Sequence, residues 1–210
     1  GALAAVESYS EAIFYYTYDD HTQAYRDIAV NLNELYKYLA KDFIITGDRK
    51  GAVDKLSLSL DLFRFDEFRL KRAEIYYELG QIYTGDGDAD LNEDITKASE
   101  YFYKALEHYP DADYPAEAAL CYIGLGHCHG LLFDRKNHSD DLRQAADFNK
   151  KALQLLNPDL YPEQYSTVSE KLDRIEEKLS AQEAAAREEE TAAAEADAEG
   201  SADEEHPEDR

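Results

Sequence analysis

Residues 73–83 read AEIYYELGQIY, and residues 97–110 read KASEYFYKALEHYP. In both stretches apolar side chains recur every three or four residues, which is the spacing of one face of an α-helix. Gly80 and Ala98 are small enough to let two helices approach closely, and Pro110 stops the second helix. The two stretches therefore predict a pair of antiparallel helices joined by a turn.

The rest of residues 1–181 shows the same helical spacing, without a run of alternation long enough for a strand, so the predicted fold class is all-α. Motifs of the first pair, and one motif shortly after it, also recur later in the chain at one fixed offset, which is the mark of an internal repeat. The recurring residues are Ala98, Ala105 and Leu106, repeated as Ala145, Ala152 and Leu153, and Tyr114-Pro115, repeated as Tyr161-Pro162.

Residues 73–110 resemble a tetratricopeptide repeat (TPR), with an extended turn between the helices. The resemblance is carried by Tyr76, Leu79, Gly80, Tyr83, Ala98, Phe102, Ala105 and Pro110. Residues 33–66 resemble the same repeat with a normal turn, and residues 119–158 resemble it with an extended turn. The resemblance implies an α-solenoid of antiparallel helix pairs. The long turns also resemble the TPR variant found beside CHAT protease domains in bacteria.

The two ends of the array are interpreted from weaker patterns. Residues 1–32 are expected to hold a partial N-terminal repeat and a connecting segment, because residues 9–16 look like a second helix without its first. This leads us to expect a piece of a longer chain. Residues 161–181 carry apolar side chains on one helical face, so they are predicted to form a capping helix that closes the array.

The charge of the chain limits its partners. It has 22 Lys and Arg against 46 Asp and Glu, a formal net charge of −24, so neither nucleic acid nor an anionic membrane surface is expected to bind. Residues 182–210 contain 12 acidic residues and no Leu, Ile, Val or aromatic residue. They are predicted to be a disordered acidic tail, although Ala and Glu allow the preceding helix to reach about Thr191.

Soft metal ligands cluster at Cys121, His127, Cys128 and His129. On one helix, a rise of about 1.5 Å per residue separates the two cysteines by about 10 Å, too far to bind one ion together. They are interpreted as packed thiols, which suit a reducing, cytoplasmic compartment.

An acidic turn begins at Asp86 and resembles the first half of a calcium loop. Counted from Asp86, the sixth and twelfth positions hold Leu91 and Lys97 instead of the required Gly and Glu. No metal or cofactor is therefore expected. The chain also lacks the sequence motifs of a nucleophile elbow, a P-loop or a zinc protease, so we expect no enzymatic activity.

The resemblance to TPR proteins implies a non-catalytic scaffold for protein–protein interactions, in which the first helix of each pair lines a concave groove for a partner peptide or helix. The positions carried over to this groove are Glu34, Lys37, Lys41, Glu74, Tyr77, Gln81, Leu120, Ile123 and His127. Two alternatives remain open at this point: a regulatory or sensor segment of a larger enzyme, and a permanent structural subunit of an assembly.

Lys37 and Lys41 stand out in this groove because the chain around them is strongly acidic. Two interpretations apply to them. In the first, both lysines attract an acidic segment of the partner. In the second, they pair with Glu34 and nearby acidic side chains on a solvated face of the helix.

Overall fold

The computed structural model of the protein describes residues 1–85 and 91–202. These residues form α-helices and one short 3₁₀ turn, with no strand among them, so the all-α prediction is confirmed for this part of the chain. The acidic turn that begins at Asp86 lies outside the described residues. The helices are α1 (Ala2–Tyr15), α2 (Thr22–Ile45), α3 (Arg49–Leu62), α4 (Arg69–Thr84), α5 (Leu91–Leu106), α6 (Pro115–Lys136), α7 (Ser139–Leu155) and α8 (Pro162–Ala202).

Neighbouring helices pack as adjacent pairs. The closest pairs are α2 with α3, α4 with α5, and α6 with α7, which occupy the three stretches where helix pairs are predicted. Between pairs, α5 packs on α6, α4 touches α6, and α3 makes a smaller contact with α4. The order of the helices along the chain is therefore also their order in space.

Local sequence explains where several helices begin and end. Gly47 has a φ of +80°, a conformation that glycine adopts without strain, and it turns the chain between α2 and α3. The Asp48 side chain then accepts a 2.8 Å hydrogen bond from the backbone N–H of Gly51 and caps α3. Pro115 occupies the first turn of α6, where the missing N–H is harmless. Asn137, at a φ of 52°, ends α6.

The buried side chains form clusters that follow one another along the chain. The first cluster joins α1 to α4 and includes Leu32, Leu56 and Ile75. The second joins α4 to α8 and includes Phe102 and Leu125. Helix α4 contributes to both clusters, so each of its two faces is covered by a different part of the chain.

Phe102 explains Gly80 of the predicted motif and a second glycine outside the motif, Gly124. Its ring is 1% exposed. A Cβ atom at Gly80 would lie 2.7 Å from Phe102 Cε1, and one at Gly124 would lie 2.5 Å from Phe102 Cζ. Because no methyl group fits at either distance, glycines on α4 and α6 make room for this α5 ring.

The N-terminal boundary differs from the prediction. Residues 1–32 are expected to be a partial repeat and a connector, but α2 already begins at Thr22 and continues through position 33 without a break. Helix α1 packs on α2, with Val6, Tyr9 and Ile13 against the first buried cluster. The predicted start at 33 came from aligning the motif, and a motif marks the contact face of a helix but not its first residue.

The C-terminal boundary also differs. Leu172 and Ile175 of the predicted cap are buried against Phe133 and Leu142, but α8 does not end at 181 and continues to Ala202. The high helix propensity of Ala and Glu explains the extension. No helix in residues 1–85 and 91–202 is long and apolar enough to cross a membrane.

Candidate partner-binding site

The nine predicted groove residues lie on the first helices of the three pairs. Three are on α2, three on α4 and three on α6. Helix α4 touches α6, and an ion pair joins α2 to α4, so the three helices are neighbours in chain order. The side chains nevertheless differ in what they contact, and they are described below helix by helix.

Lys37 is held between two carboxylates of α4. Its Nζ contacts Glu74 Oε1 and lies 2.8 Å from Glu78 Oε1. Burial by itself lowers the pKa of the Lys37 ammonium, but hydrogen bonds to Glu74 and Glu78 outweigh it and the pKa lies above its ordinary value. Lys37 is therefore neutralised within the protein, as the second interpretation expected, although its partners are on α4 and do not include Glu34.

The ion pair with Lys37 also shifts the pKa of the Glu74 carboxyl. Burial favours its neutral form, but the hydrogen bond and the charge of Lys37 outweigh burial and hold the pKa of the Glu74 carboxyl below its ordinary value. Lys71 adds a contact of 3.5 Å to its other oxygen. Glu34 is exposed and accepts a 3.2 Å hydrogen bond from Asn33 Nδ2.

Lys41 differs from Lys37. It is exposed one helical turn further along α2, and it makes no ion pair with any residue that the structure describes. Of the two lysines, Lys41 is thus the one whose charge is available to a ligand.

A cleft of about 720 Å³ opens beside Lys41, between the end of α2, the start of α3 and the end of α4. Its apolar wall is built from Ala40, Ile44, Ile45, Leu56 and Ile82. Its polar and backbone lining comes from Lys37, Lys41, Gly47, Arg49, Glu78, Gln81 and Gly85. Ile44 is 46% exposed and Ile45 is 83% exposed, so this aliphatic surface faces solvent.

Arg49, in the lining of the cleft, interacts with residues of the next helix pair, α4 and α5. Its Nη1 lies 2.7 Å from Asp94 Oδ2 on α5, and its guanidinium carbon lies 4.8 Å from the centre of the Tyr83 ring. The buried Nε of Arg49 has no hydrogen-bond partner among the described residues. One buried donor of Arg49 is therefore unsatisfied among the described residues.

Tyr77 takes part in packing and not in an open groove, whereas its hydrogen-bond partner Gln81 is exposed. Gln81 Nε2 donates a 2.9 Å hydrogen bond to the Tyr77 hydroxyl, and the Tyr77 ring centre lies 5.8 Å from that of Phe102. Burial raises the pKa of Tyr77, so the phenol is neutral at physiological pH. Gln81 also lines the cleft, but Tyr77 does not.

The three predicted residues of α6 lie outside the cleft. Leu120, Ile123 and His127 are half-buried, and Ile123 packs against the second buried cluster. Burial and the nearby Lys171 charge lower the pKa of His127, which favours the neutral imidazole. The structure thus brings together Lys37, Lys41 and Gln81 of the predicted set and leaves the α6 residues apart from them.

The cysteines have no features of a reactive or metal-binding site. Cys121 and Cys128 are free and fully buried. Burial raises the pKa of the Cys121 thiol to about 12 and also raises that of Cys128, so both remain thiols at physiological pH. In the described part of the chain, no three His, Cys, Asp or Glu side chains are grouped closely enough to hold a metal ion.

Sequence reasoning missed the aliphatic wall of the cleft. Ile44 and Ile45 directly precede the turn at residues 46–48, and a pair of adjacent apolar residues at a helix end points to two faces at once. These adjacent isoleucines were the sequence feature that could have predicted the aliphatic wall. Comparison of the chain with known proteins finds no matching family, no matching curated protein and no matching solved structure.

Proposed function

We propose that this protein is a non-catalytic scaffold for protein–protein interactions, built as an α-solenoid of TPR-like helix pairs. A peptide or helix of the partner lies against the first helices of the pairs, at the cleft between α2, α3 and α4. The observation that carries the proposal is the aliphatic wall of the cleft, formed by the exposed Ile44 and Ile45 and the partly buried Ile82.

Burial energetics support a macromolecular ligand at this wall. Covering apolar surface contributes about 25 cal/mol per Å², so exposed isoleucines that line a concave surface favour an occupant with apolar side chains. A cleft of about 720 Å³ has room for several side chains of a partner segment.

The TPR resemblance supports the proposed fold of TPR-like helix pairs. Phe102 fits between Gly80 and Gly124, and Ala98 and Ala105 are fully buried at the contact between helices. Of these residues, Gly80, Ala98, Phe102 and Ala105 stand at the positions that carry the TPR resemblance. A cytoplasmic location belongs to the proposal, because both cysteines are free thiols.

Photo-crosslinking tests the proposed function directly. A benzophenone amino acid replaces Ile45 in the full chain, and a control chain carries it at Leu160, which is 71% exposed near the start of α8. After irradiation in the source cell, crosslinked proteins are identified by mass spectrometry. We expect one or a few proteins to crosslink from position 45 and not from position 160.

The crosslinking result also distinguishes a partner seated in the cleft from a permanent structural subunit. Crosslinking that disappears when Ile44→Asp is added to the position-45 chain supports a partner seated in the cleft. Equal crosslinking from positions 45 and 160 would overturn the proposal. A partner that stays stoichiometrically bound through purification would point to a permanent structural subunit.

A further inference from the structure

Helix α1 lacks a neighbour that the corresponding helices of the chain possess. In each pair the second helix packs on two helices: α3 on α2 and α4, α5 on α4 and α6, and α7 on α6 and α8. Helix α1 precedes α2, the first helix of a pair, so it stands where the second helix of an earlier pair would stand. In the part of the chain that the structure describes, its packing is with α2. The side of α1 that would meet a first helix is therefore uncovered.

Four positions of each second helix, at spacings of four, three and four residues, are buried between its two neighbours. In the α5 segment they hold Ala98, Phe102, Ala105 and Tyr109, each at most 9% exposed. The same positions of the α3 and α7 segments also hold buried residues, which are Ala52, Leu56, Ser59 and Phe63, and Ala145, Asn149, Ala152 and Leu156. Burial at these positions therefore accompanies a second helix that has both neighbours.

Helix α1 and its end repeat this spacing with Ala5, Tyr9, Ala12 and Tyr16, which form the α1 face. None of the four is buried: the first three are partly exposed, and Tyr16 is 44% exposed. Phe14, near the end of α1, is 79% exposed as well. The sequence of α1 thus supplies the contact surface of a second helix, and this surface is open to solvent.

The packing of the complete pairs specifies what covers the α1 face. Phe102 corresponds to Tyr9, and it lies against Gly80 of α4, where a Cβ atom would be 2.7 Å from its ring. In the next pair, a Cβ atom at Gly126 would lie 2.8 Å from Nδ2 of Asn149, which holds the same position. Two helices at such close range need a small residue on the first of them. The α1 face therefore accepts an α-helix with a small residue opposite Tyr9.

The charge around the α1 face favours a basic helix. Residues 1–25 contain four carboxylates and no Lys or Arg. Glu7 and Glu11 lie on α1, are exposed and form no ion pair with the residues that the structure describes, so no contact within the protein cancels their charge. The net charge of −24 on the whole chain adds to the attraction. A covering helix with Lys or Arg at its edges is therefore favoured over an acidic one.

A second copy of this chain does not supply such a helix. The first helices α2, α4 and α6 already pack on second helices of their own. At the fixed offset of the repeat, Gly126 of α6 corresponds to Asp173 of α8, an exposed carboxylate where close approach needs a small residue. A second α1 would place Glu7 and Glu11 against the same two carboxylates, which repel them. The chemistry of the α1 face thus favours a helix of a different protein.

We infer that the α1 face docks a basic amphipathic helix of a partner protein, which takes the place of a first helix and completes a pair with α1. The partner helix carries a small residue between large apolar ones on its contact face, and Lys or Arg at its edges. No residue of α1 lines the cleft between α2, α3 and α4. The α1 face is therefore a second binding surface, beyond the proposed function.

A first helix of this protein provides the probe. The peptide Arg69–Thr84, capped at both ends and labelled, contains Leu79-Gly80 between two tyrosines and carries three basic residues at its start. Two matched peptides replace Gly80 by Leu, or the three basic residues by Glu. We expect fluorescence anisotropy to show that the probe binds the full chain, that the Gly80→Leu peptide binds about tenfold more weakly, and that the acidic peptide binds several-fold more weakly.

Variants of α1 locate the binding site. Ala12→Gln adds bulk to the α1 face without adding charge, and it should weaken binding of the probe by about tenfold. Ala4→Gln makes the same substitution at an exposed position of α1 and should change the affinity by less than about twofold. The double variant Glu7→Gln with Glu11→Gln should weaken binding by about threefold, and by less at high salt. Circular dichroism confirms that each variant is folded, and hydrogen exchange should show that the bound probe protects α1.

Equal binding of the probe to wild type and to Ala12→Gln, or equal binding of the Gly80→Leu peptide, would overturn the inference. Dimerisation of the free chain that Ala12→Gln abolishes would make a second copy the occupant and overturn a partner protein. A chain purified from the source cell that carries further residues before Gly1 and does not bind the probe would overturn it too, because its own helix would cover the face. Ile44→Asp should leave binding of the probe unchanged, so the photo-crosslinking result decides the proposed function independently.

Discussion

Lys37 Nζ on α2 lies 2.8 Å from Glu78 Oε1 on α4, and this ion pair joins the first helices of two neighbouring helix pairs. The Lys37 side chain is 14% exposed and that of Glu78 is 26% exposed, so water screens the pair less than an ion pair at an open surface. The pair stands at the cleft, where α3 and α4 make only a small contact. It therefore takes part in holding the first two helix pairs together.

Replacing Lys37 by Met should destabilise the protein by about 1–2 kcal/mol at pH 7, because Glu74 and Glu78 lose their shared cation. The loss is smaller than for a fully buried pair, since Glu74 partly faces water. Urea unfolding gives the free energy of unfolding. Lys41→Met is the matched control on the same helix and should change that free energy by less than about 0.5 kcal/mol.

The effect of Lys37→Met should depend on pH. The folded-state pKa of Glu74 lies below its ordinary value of 4.5, so the ion pair stabilises the fold fully above that pH. This stabilisation is lost as pH falls through the lower, folded-state pKa. The difference in unfolding free energy between wild type and variant should be largest at pH values above 4.5 and should shrink as the pH falls below it. A constant difference across this range would contradict the assigned pairing.

Gly124→Ala should destabilise the protein by about 1–3 kcal/mol, because the added methyl group would lie 2.5 Å from Phe102 Cζ. The Phe102 ring is 1% exposed, so it cannot swing out into solvent without losing its burial. Gly130→Ala on the same helix is the control, since nothing lies within 4 Å of its Cβ position. The control should stabilise the protein by about 0.5–1 kcal/mol through helix propensity. Chemical unfolding that ranks the two variants in the reverse order would contradict the tight packing at Phe102.

Replacing both Leu172 and Ile175 by Asp should uncover the α6–α7 pair. Each side chain is nearly buried, and each contributes about 1.5–3 kcal/mol through burial. We expect a lower melting temperature and self-association, which light scattering measures. Leu160→Asp is the control, because Leu160 is 71% exposed and should tolerate the charge. A monomer with an unchanged melting curve would show that α8 does not cover the α6–α7 pair.

Removing residues 182–210 should leave the melting temperature nearly unchanged. The described contacts of this segment with the rest of the protein are few: Gln182 Nε2 lies 3.3 Å from Asn137 Oδ1, and Glu183 lies 3.9 Å from Arg143. The helical signal per molecule should fall, because α8 continues to Ala202. Far-ultraviolet circular dichroism measures both quantities. A drop of many degrees would show that the acidic segment docks on the helix pairs.

The paired helices could be predicted from the sequence because their contacts are local and periodic. The spacing of the motif places small and large side chains on facing helix surfaces, as with Gly80, Ala98 and Phe102. In the structure the Phe102 ring of α5 is buried against α4 and α6. The turn at Gly47 and Asp48 was equally readable, since its backbone conformation depends on neighbouring residues. The ends of the helices were harder to predict from the sequence. Helix α2 begins before the predicted limit and α8 ends after it, because the residues at these ends carry no signal that starts or stops a helix.

The sequence by itself determined that the chain is helical, where its helix pairs lie and that its overall charge is strongly acidic. Only the tertiary structure decided that Lys37 bonds to Glu78 while Lys41 stays open, and that Ile44, Ile82 and Arg49 border one cleft. These residues come from three helices, and their meeting depends on the rotation and axial register of each helix against the next. Helical periodicity within one segment specifies which face is apolar, but it does not specify that register.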